Sequence, residues 1–299
     1  MTIDDVVARM GWADAPDLTV APLPGGITNH NYRVDACGES FVVRIPGRET
    51  EQLGIDRRRE YECARAASAS GVAPPVAAFL EDAGVLVTGF VLGREPDEKD
   101  MSRPQTLSRV AAALRRYHAG PAFPGTFSPF RAVREYLAAA GPRDAPFPGR
   151  FGWIMAQAER VEAALGAPPV MRPCHNDLLR ANFLDDGERL WILDWEYAAM
   201  GDIFFDLGNF AAHLQLPDAA ESTLLQAYFG AVTPPTVARL KLMKIASDLR
   251  EAMWAMVQVT TSALDYDFAG YGHTHFDRCA AGLQDPRVPA WLRDASATE

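Results

Sequence analysis

The stretch HNDLLRAN, residues 175–182, places three side chains that can take part in chemistry within eight residues. They are His175, Asp177 and Asn182, so a carboxylate and an amide stand five positions apart. Apolar runs flank the stretch, VMRPC before it and NFLDDGERLWILDW after it, and the Asp-Gly pair at 186–187 favours a hairpin turn. We therefore expect a short β segment that presents these polar groups from a loop.

The spacing HxDxxxxN is typical of the catalytic loop of protein-kinase-type enzymes, where the Asp takes the acceptor hydroxyl's proton and the Asn holds magnesium. Twelve residues beyond Asn182, after the apolar run LWIL, Asp194 lies where such enzymes place a second metal-binding carboxylate. Mg²⁺ prefers hard oxygen ligands and takes few protein groups beside the nucleotide phosphates. The pattern predicts Asp177 as the base and Asn182 and Asp194 as metal ligands. The alternative for Asp194 is an acid that only caps a turn.

Composition limits the classes of function. The chain has 299 residues, 48% of them hydrophobic, which is enough for two lobes with a sizeable core. Its 39 acidic against 29 basic residues give a net charge of −10, which argues against a nucleic acid partner. The acidic start MTIDDVVARM lacks the features of a signal peptide, and no apolar run is long enough for a bilayer. We expect a cytoplasmic protein with no membrane partner and leave its oligomeric state open.

Cysteine and histidine spacing gives no support for a structural metal site. The four cysteines are widely scattered without a CxxC pair, so we expect reduced, mostly buried thiols. The run HTHFD resembles a metal cluster, but we expect a helix there, which would turn His273 and His275 to different faces.

The first part of the chain has the pattern of an antiparallel sheet. Residues 18–45 alternate short β-type runs with Gly and Asn turn signals, which predicts three strands. Residues 56–70 are rich in helix formers and stop at Gly71, which predicts a helix with a glycine cap. The runs PPVAAFL and GVLVTGFVLG predict two further strands.

After Gly93 the sequence becomes polar and proline-bearing and then mainly helical, with a long helix predicted from residues 236 to 264. We therefore predict an α+β, protein-kinase-like bilobal fold. Residues 1–92 would form a nucleotide-binding lobe with an antiparallel β-sheet. Residues 93–299 would form a mainly helical catalytic and substrate-binding lobe.

An ATP-binding lobe needs a flexible turn over the phosphates, a cation on the third strand and a helix carboxylate that holds the cation. The segment LPGGITN offers four phosphate-contacting candidates: Gly25, Gly26, Thr28 and Asn29. Only three residues of the chain are lysine and none precedes Lys99, yet FVVRI puts Arg44 at the cation position. Arginine can clamp phosphate oxygens with two N–H groups. For the helix carboxylate we choose Glu60, with Glu62 second; the alternative is an ordinary solvated acid.

These segments together resemble the choline/ethanolamine kinase family, close kin of the aminoglycoside phosphotransferases with the eukaryotic protein-kinase-like fold. The resemblance covers nearly the whole chain. It is carried by PGGITNHNYRV, FVVRIPG, IDRRREYECARAASASGVAPPV, CHNDLLRANFL, ILDWEYAAMGDIFFDLGNF and EAMWAMVQVTTSALDYDFAGYGHTHFD. The family has arginine rather than lysine at the Arg44 position, so the shortage of lysine agrees with it.

The resemblance implies ATP and Mg²⁺ as cofactors, with roles for particular residues. Asp177 would be the catalytic base, Asn182 and Asp194 would bind magnesium, and Glu60 would pair with Arg44. The hinge at residues 88–91 would meet adenine through its backbone, with these candidates: Gly89, Phe90 and Val91. Asp206 would be a buried anchor for the catalytic loop.

The segment 251–277 is a candidate for the acceptor pocket because it holds five aromatic residues and four acids but no lysine or arginine. Rings and carboxylates both attract ammonium groups, although the rings could equally be helix core. The resemblance places Trp254, Phe268 and Tyr271 where the family builds an aromatic cage.

Two positions depart from the family. Glu251 stands where choline kinases have a second tryptophan, and His213 stands where they have an acid. A carboxylate prefers a primary ammonium to a methylated one, which has no N–H to donate, so choline itself is disfavoured. Glu196, in the DWE segment, completes the substrate candidates.

We predict an ATP-dependent phosphotransferase that acts on the hydroxyl of a small amino alcohol. One alternative is an aminoglycoside or other small-molecule hydroxyl kinase, and another, from a different class, is a nucleotide-binding pseudokinase. A protein kinase is disfavoured because DWE replaces DFG and no APE-like segment follows.

Overall fold

The computed structural model describes residues 1–24, 29–47, 54–262 and 264–296. A five-stranded antiparallel sheet with strand order β1-β2-β3-β5-β4 forms the N-terminal part. Its strands are β1 (Thr19–Pro22), β2 (Asn29–Ala36), β3 (Glu39–Pro46), β4 (Val76–Leu80) and β5 (Val85–Gly89). Helix α1 (Ile3–Arg9) precedes the sheet and helix α2 (Arg57–Ala69) joins β3 to β4. The predicted strands and helix of this part are confirmed.

The sheet register directs Arg44 away from the apolar core. Side chains alternate between the two faces of a strand. Val43 and Ile45 of β3 pack into the core that α1 and the sheet share, so Arg44 between them points to the opposite face. Arg44 stands opposite Asn31 on β2 and Leu86 on β5.

Helix α2 has the ends that its sequence predicts. The Asp56 side chain accepts hydrogen bonds from the backbone N–H groups of Arg58 and Arg59, as an N-cap does. Gly71, just after the helix, has a φ of +72°, a conformation that glycine adopts without strain.

The C-terminal part is mainly helical. Its helices are α3 (Glu98–Met101), α4 (Pro104–His118), α5 (Pro129–Ala140), α6 (Phe151–Leu165), α7 (Ile203–His213), α8 (Asp218–Phe229), α9 (Pro234–Thr261), α10 (Phe268–Leu283) and α11 (Val288–Ala295). Helix α9 has 28 residues and packs against α5, α7, α10 and α11. Its middle is buried all round, so charged residues there need partners inside the protein. Within the described ranges, no helix combines the length and apolarity that a bilayer span requires.

Two small antiparallel sheets interrupt the helices, where the sequence predicts one short β segment with a hairpin. Strand β6 (Arg172–Cys174) pairs with β9 (Ala199–Gly201), and β7 (Phe183–Asp185) pairs with β8 (Leu190–Ile192). The quoted stretch, residues 175–182, connects β6 to β7, and Asp194 follows β8. The chain therefore presents the polar groups of both segments from loops between packed strands.

The connection between the two parts runs from β5 to α3. Arg94 exchanges two backbone hydrogen bonds with Asp185 of β7, with N–O distances of 3.0 and 2.8 Å, which ties the connection to the catalytic-loop hairpin. The predicted boundary between residues 92 and 93 lies in this connection. The division into lobes of residues 1–92 and 93–299 stays a proposal.

The cysteine prediction holds in most respects. All four cysteines are free, and Cys63, Cys174 and Cys279 are buried. Cys37 is exposed, in the turn between β2 and β3.

Candidate active site

Asp206 on α7 fastens the start of the catalytic loop. Its carboxylate accepts hydrogen bonds from the backbone N–H groups of His175 at 2.9 Å and Asn176 at 2.7 Å. The Tyr117 hydroxyl donates to it at 2.5 Å, and His118 Nε2 lies 3.0 Å from it. Burial would raise the pKa of Asp206, but the hydrogen bonds and nearby imidazoles hold it below its ordinary value. Asp206 therefore has the contacts of the structural anchor that was predicted.

The loop beyond the anchor is shaped by its own side chains. The Asn182 amide Nδ2 donates to the Asp177 carbonyl at 2.8 Å, which leaves its Oδ1 as the atom that can face a cation. His175 Nε2 lies 2.8 Å from the Leu193 carbonyl and so braces the loop against the segment that carries Asp194. Asp194 has a φ of +65°, an uncommon conformation outside glycine that marks functional turns.

Asn182 and Asp194 fit a magnesium ion by donor chemistry. One amide oxygen and one carboxylate are hard ligands of the number that Mg²⁺ usually takes from a protein. In this structure Asp194 Oδ1 accepts a hydrogen bond from Arg44 at 2.6 Å, so the positive charge beside this carboxylate is the Arg44 guanidinium. The metal-binding roles of both residues stay predictions.

The expected ion pair between strand β3 and helix α2 is present. Arg44 Nη1 lies 2.6 Å from Glu60 Oε1, and Glu60 is buried with a second contact to Arg57 at 2.8 Å. Burial alone would lower the pKa of Arg44, but Asp194, Glu60 and nearby Glu196 raise it above its ordinary value. Glu62, the second choice, pairs with Arg58 at the surface.

Glu196 and Asn29 contact each other. The Glu196 carboxylate contacts Asn29 Nδ2 at 3.0 Å and Arg57 Nη1 at 3.1 Å, both from the N-terminal part. The cause is the positive charge of Arg57, which a buried carboxylate needs as a partner. Burial, with Asp194 nearby, raises the pKa of Glu196 to about 7. The predicted roles of Asn29 at a phosphate and of Glu196 at the substrate stay predictions.

The other nucleotide candidates divide into two groups. Gly25, Gly26 and Thr28 lie outside the described residues. In the hinge, the Gly89 N–H donates to the Pro75 carbonyl and the Phe90 N–H to the Ser40 carbonyl, each at 2.8 Å. These bonds commit two of the three hinge N–H groups to the protein, so Val91 is the candidate that best suits an adenine contact.

The predicted aromatic residues do come together. The Trp254 ring centroid lies 5.8 Å from that of Phe268 and 6.1 Å from that of Tyr271. Tyr266, which is 49% exposed, adds a fourth ring 4.8 Å from Phe268. Trp254 and Phe268 are buried, so the cluster has a buried floor and an open edge.

Arg250 is the site residue that sequence reasoning missed. It is 1% exposed, its Nη1 lies 3.0 Å from Asp177 Oδ1, and it also pairs with Glu251. Its guanidinium carbon lies 4.4 Å from the centroid of the Tyr197 ring. One signal was available: the pair Arg250-Glu251 directly precedes the apolar helical run AMWAMV, and buried charges need partners.

Glu251 is therefore not an open carboxylate. One oxygen accepts from Arg250 and the other from the Tyr271 hydroxyl at 3.0 Å, while His213 Nε2 lies 3.7 Å away. Burial alone would raise the pKa of Glu251, but Arg250 and His213 hold it below its ordinary value. In this structure the first partner of Glu251 is the protein's own cation, and its contact with a substrate ammonium stays a prediction.

Asp177 shares this cluster but has a different electrostatic setting. Asp177, His213 and Glu251 each place a donor atom within 4.8 Å of the others, a spacing that could hold a metal ion. Arg250 already pairs with two of the three, which makes a further cation between them unfavourable. Burial raises the pKa of Asp177, and Arg250 opposes that rise only in part.

The fold and the site define a phosphotransferase of the protein-kinase-like type. Residues 19–242, from β1 into α9, match the family described as the phosphotransferase enzyme family. This segment contains the ion pair on β3 and α2, the catalytic loop and Asp194.

Comparison with known proteins narrows the family. The solved structure of a choline/ethanolamine kinase family protein from Mesorhizobium loti is 30% identical, covers 99% of each chain and has a TM-score of 0.84. A probable ethanolamine kinase A from Dictyostelium discoideum is 27% identical over 302 residues, which cover 88% of this chain and 84% of that protein. Protein LicA from Haemophilus influenzae is 29% identical over 213 residues, which cover 68% of this chain and 61% of LicA, less than two thirds of its length.

The chain belongs to the phosphotransferase enzyme family and to the choline/ethanolamine kinase family. The predictions of this family, of a protein-kinase-like fold and of an enzyme of the phosphotransferase class are confirmed.

Proposed function

We propose that the protein transfers the γ-phosphoryl group of ATP to the hydroxyl of a small amino alcohol, with Mg²⁺ at Asn182 and Asp194 and with Asp177 as the base. The observation that carries this proposal is the position of Asp177. Its backbone carbonyl binds the Asn182 amide on the metal side. Its carboxylate accepts a hydrogen bond from Arg250, which also binds Glu251, and Glu251 contacts Tyr271 of the aromatic cluster.

The proposed mechanism rests mainly on positioning and charge, because phosphoryl transfer passes through a loose transition state. Bound magnesium would neutralise charge on the phosphate oxygens. Arg44, steadied by Glu60, would hold further phosphate oxygens, and Val91 would meet the adenine through its backbone. Asp177 would orient the acceptor hydroxyl and take its proton late in the transfer.

The raised pKa of Asp177 suits such a base. Burial raises this pKa to about 7, and a base works best when its pKa lies near the working pH. The neighbouring Arg250 keeps a share of the carboxylate ionised, since a positive charge favours the charged form.

An amine-bearing acceptor is supported by the surroundings of Asp177. The rings of Trp254, Phe268, Tyr266 and Tyr271 offer faces that attract a cation. Asp177 and Glu251 supply two carboxylates against the one guanidinium of Arg250, so the cluster has no excess of positive charge that would repel an ammonium group at its edge. Relatives named ethanolamine kinases act as a second support for this acceptor class.

The proposal is tested by ADP release with MgATP across ethanolamine, methylated ethanolamines, choline, aminoglycosides and simple sugars. We expect turnover with an amino alcohol and none without Mg²⁺. Turnover with sugars alone would contradict the acceptor class, and ATP binding without any transfer would point to a pseudokinase.

A further inference from the structure

Arg250 occupies the place in the site that is best suited to a cation. Its Nη1 is paired with Asp177 and with Glu251, and its guanidinium stacks on the Tyr197 ring at 4.4 Å. Two carboxylates and an aromatic face are the groups that attract an alkylammonium ion. With Arg250 only 1% exposed, the protein itself fills this position.

The neighbouring elements hold Arg250 in place. The Trp254 indole donates to the Tyr197 hydroxyl at 3.1 Å and so fixes the ring on which the guanidinium lies. Tyr136 on α5 is buried, which raises the pKa of its hydroxyl, and the nearby Arg250 opposes that rise. The Tyr271 hydroxyl donates to Glu251 at 3.0 Å and so fixes the carboxylate that pairs with Arg250. If Arg250 were displaced, the buried carboxylates of Asp177 and Glu251 would need new hydrogen bonds and a new positive charge from the incoming group.

Acceptor amines differ in whether their ammonium group can bind while Arg250 stays in place. A quaternary ammonium has no N–H and cannot replace the hydrogen bonds that Arg250 gives to Asp177 and Glu251. A primary ammonium needs no such exchange, because its N–H groups can donate to oxygens at the edge of the cluster, such as the Tyr271 hydroxyl.

We propose that Arg250 sets the acceptor specificity: its guanidinium fills the cation position between Asp177, Glu251 and Tyr197 and thereby excludes fully alkylated ammonium groups, while amines with N–H groups are accepted. The inference rests on the proposed amino-alcohol function. Glu251 is in this view a positioning residue for Arg250.

The first test is calorimetric titration with tetramethylammonium, which cannot be phosphorylated. The variants are Arg250→Met, which removes the charge at similar length, and Arg250→Lys, which keeps it. Arg239→Met is the matched control, because Arg239 lies on the same helix, pairs with Asp202 at 2.8 Å and stacks on Phe204 at 5.2 Å. We expect saturable binding to Arg250→Met and none to the wild type, Arg250→Lys or Arg239→Met.

The second test compares kcat/KM for choline and ethanolamine. Arg250→Met also loosens Asp177, but that loss is common to both acceptors and cancels in their ratio. We expect the choline-to-ethanolamine ratio to rise by about tenfold or more, a change of about 1.4 kcal/mol. Arg250→Lys and Arg239→Met should keep the wild-type ratio.

The proposal is overturned if the wild type binds tetramethylammonium as tightly as Arg250→Met does, or if folded Arg250→Met binds none. It is also overturned if the wild type turns over choline as well as ethanolamine. Should circular dichroism show Arg250→Met unfolded, Arg250→Gln takes its place with the same expected results. A wild type without turnover of any amino alcohol contradicts the proposed function, whereas the tetramethylammonium comparison still tests Arg250.

Discussion

Asp206 and Asp177 are both buried carboxylates in clusters of three potential metal ligands, yet the groups that contact them differ. Asp206 belongs with His118 and Cys174, and Asp177 with His213 and Glu251. Asp206 is surrounded by donors from the backbone, a tyrosine and a histidine. Asp177 meets the guanidinium of Arg250 beside a second carboxylate.

The pKa values follow this difference. Both carboxylates are buried, which by itself raises the pKa, but at Asp206 the hydrogen bonds outweigh burial, and the pKa is lowered. At Asp177 burial prevails and the pKa is raised. Backbone and side-chain donors of the scaffold thus surround Asp206, whereas Asp177 is held by one guanidinium.

The largest effect is expected from Asp177→Asn. The amide cannot take the proton of the acceptor hydroxyl, so kcat should fall by about 100- to 10,000-fold, the usual contribution of a general base. The free energy of unfolding should fall by about 1.5–3 kcal/mol, the value of a hydrogen bond to a charged group, because Arg250 keeps its pair with Glu251. Steady-state kinetics and urea denaturation check both values. Undiminished turnover in a folded Asp177→Asn would remove Asp177 from the mechanism.

Asp206→Ala should break the other side of the comparison. It leaves two buried backbone N–H groups and the Tyr117 hydroxyl without their acceptor, so the free energy of unfolding should fall by about 3–5 kcal/mol. The measurement is urea denaturation followed by circular dichroism. A variant as stable as the wild type but inactive would mean that Asp206 acts in the chemistry and not as an anchor.

Gly208→Ala tests the contact between the anchor helix and the site helix. A Cβ at Gly208 of α7 would lie 2.7 Å from the Met243 carbonyl carbon and 2.8 Å from the Lys244 nitrogen, both backbone atoms of α9. The two helices would have to separate, so we expect a loss of about 1–3 kcal/mol in thermal or urea denaturation.

Gly152→Ala on α6 is the control, because a Cβ there meets nothing within 4 Å and alanine is compatible with the first turn of a helix. Equal stability changes in the two variants would show that α7 and α9 do not pack as closely as described.

The smallest effect comes from two neighbouring acids on α2. Glu60→Gln weakens the hold on Arg44 and Arg57, so kcat/KM for ATP should fall by about tenfold, or about 1.4 kcal/mol. Glu62→Gln removes only a surface pair with Arg58 and should change the value by less than about 0.5 kcal/mol. If both variants lose activity equally, the buried ion pair has no special role in nucleotide binding.

Local patterns were sufficient for much of this protein. Strand alternation and turn residues predicted the sheet, and the spacing from His175 to Asp194 predicted the catalytic loop and its hairpin. The pairing of Arg44 with Glu60 could also be predicted, because β3 and α2 are neighbours in the chain and each offers few other charged residues as partners.

Long-range partners could not be predicted in this way. Glu196 was grouped with the acceptor pocket, yet it contacts Asn29, which lies 167 positions away in the chain. The direction of the Glu196 side chain depends on how the N-terminal sheet and α2 pack against the segment after β8. No local sequence pattern contains that packing.

The sequence by itself determined the kind of chemistry, because Asp177 and Asn182 lie five positions apart in one short loop and Asp194 follows twelve positions later. Only the tertiary structure decided which charge lies beside Asp177. Arg250 and Glu251 are consecutive on a helix, which normally turns one of two such residues outward. Helix α9 is packed on all sides, so both point into the protein, and Arg250 meets Asp177 across 73 positions of chain. The physical reason is burial: a charge that cannot reach water takes the nearest opposite charge that the packing provides.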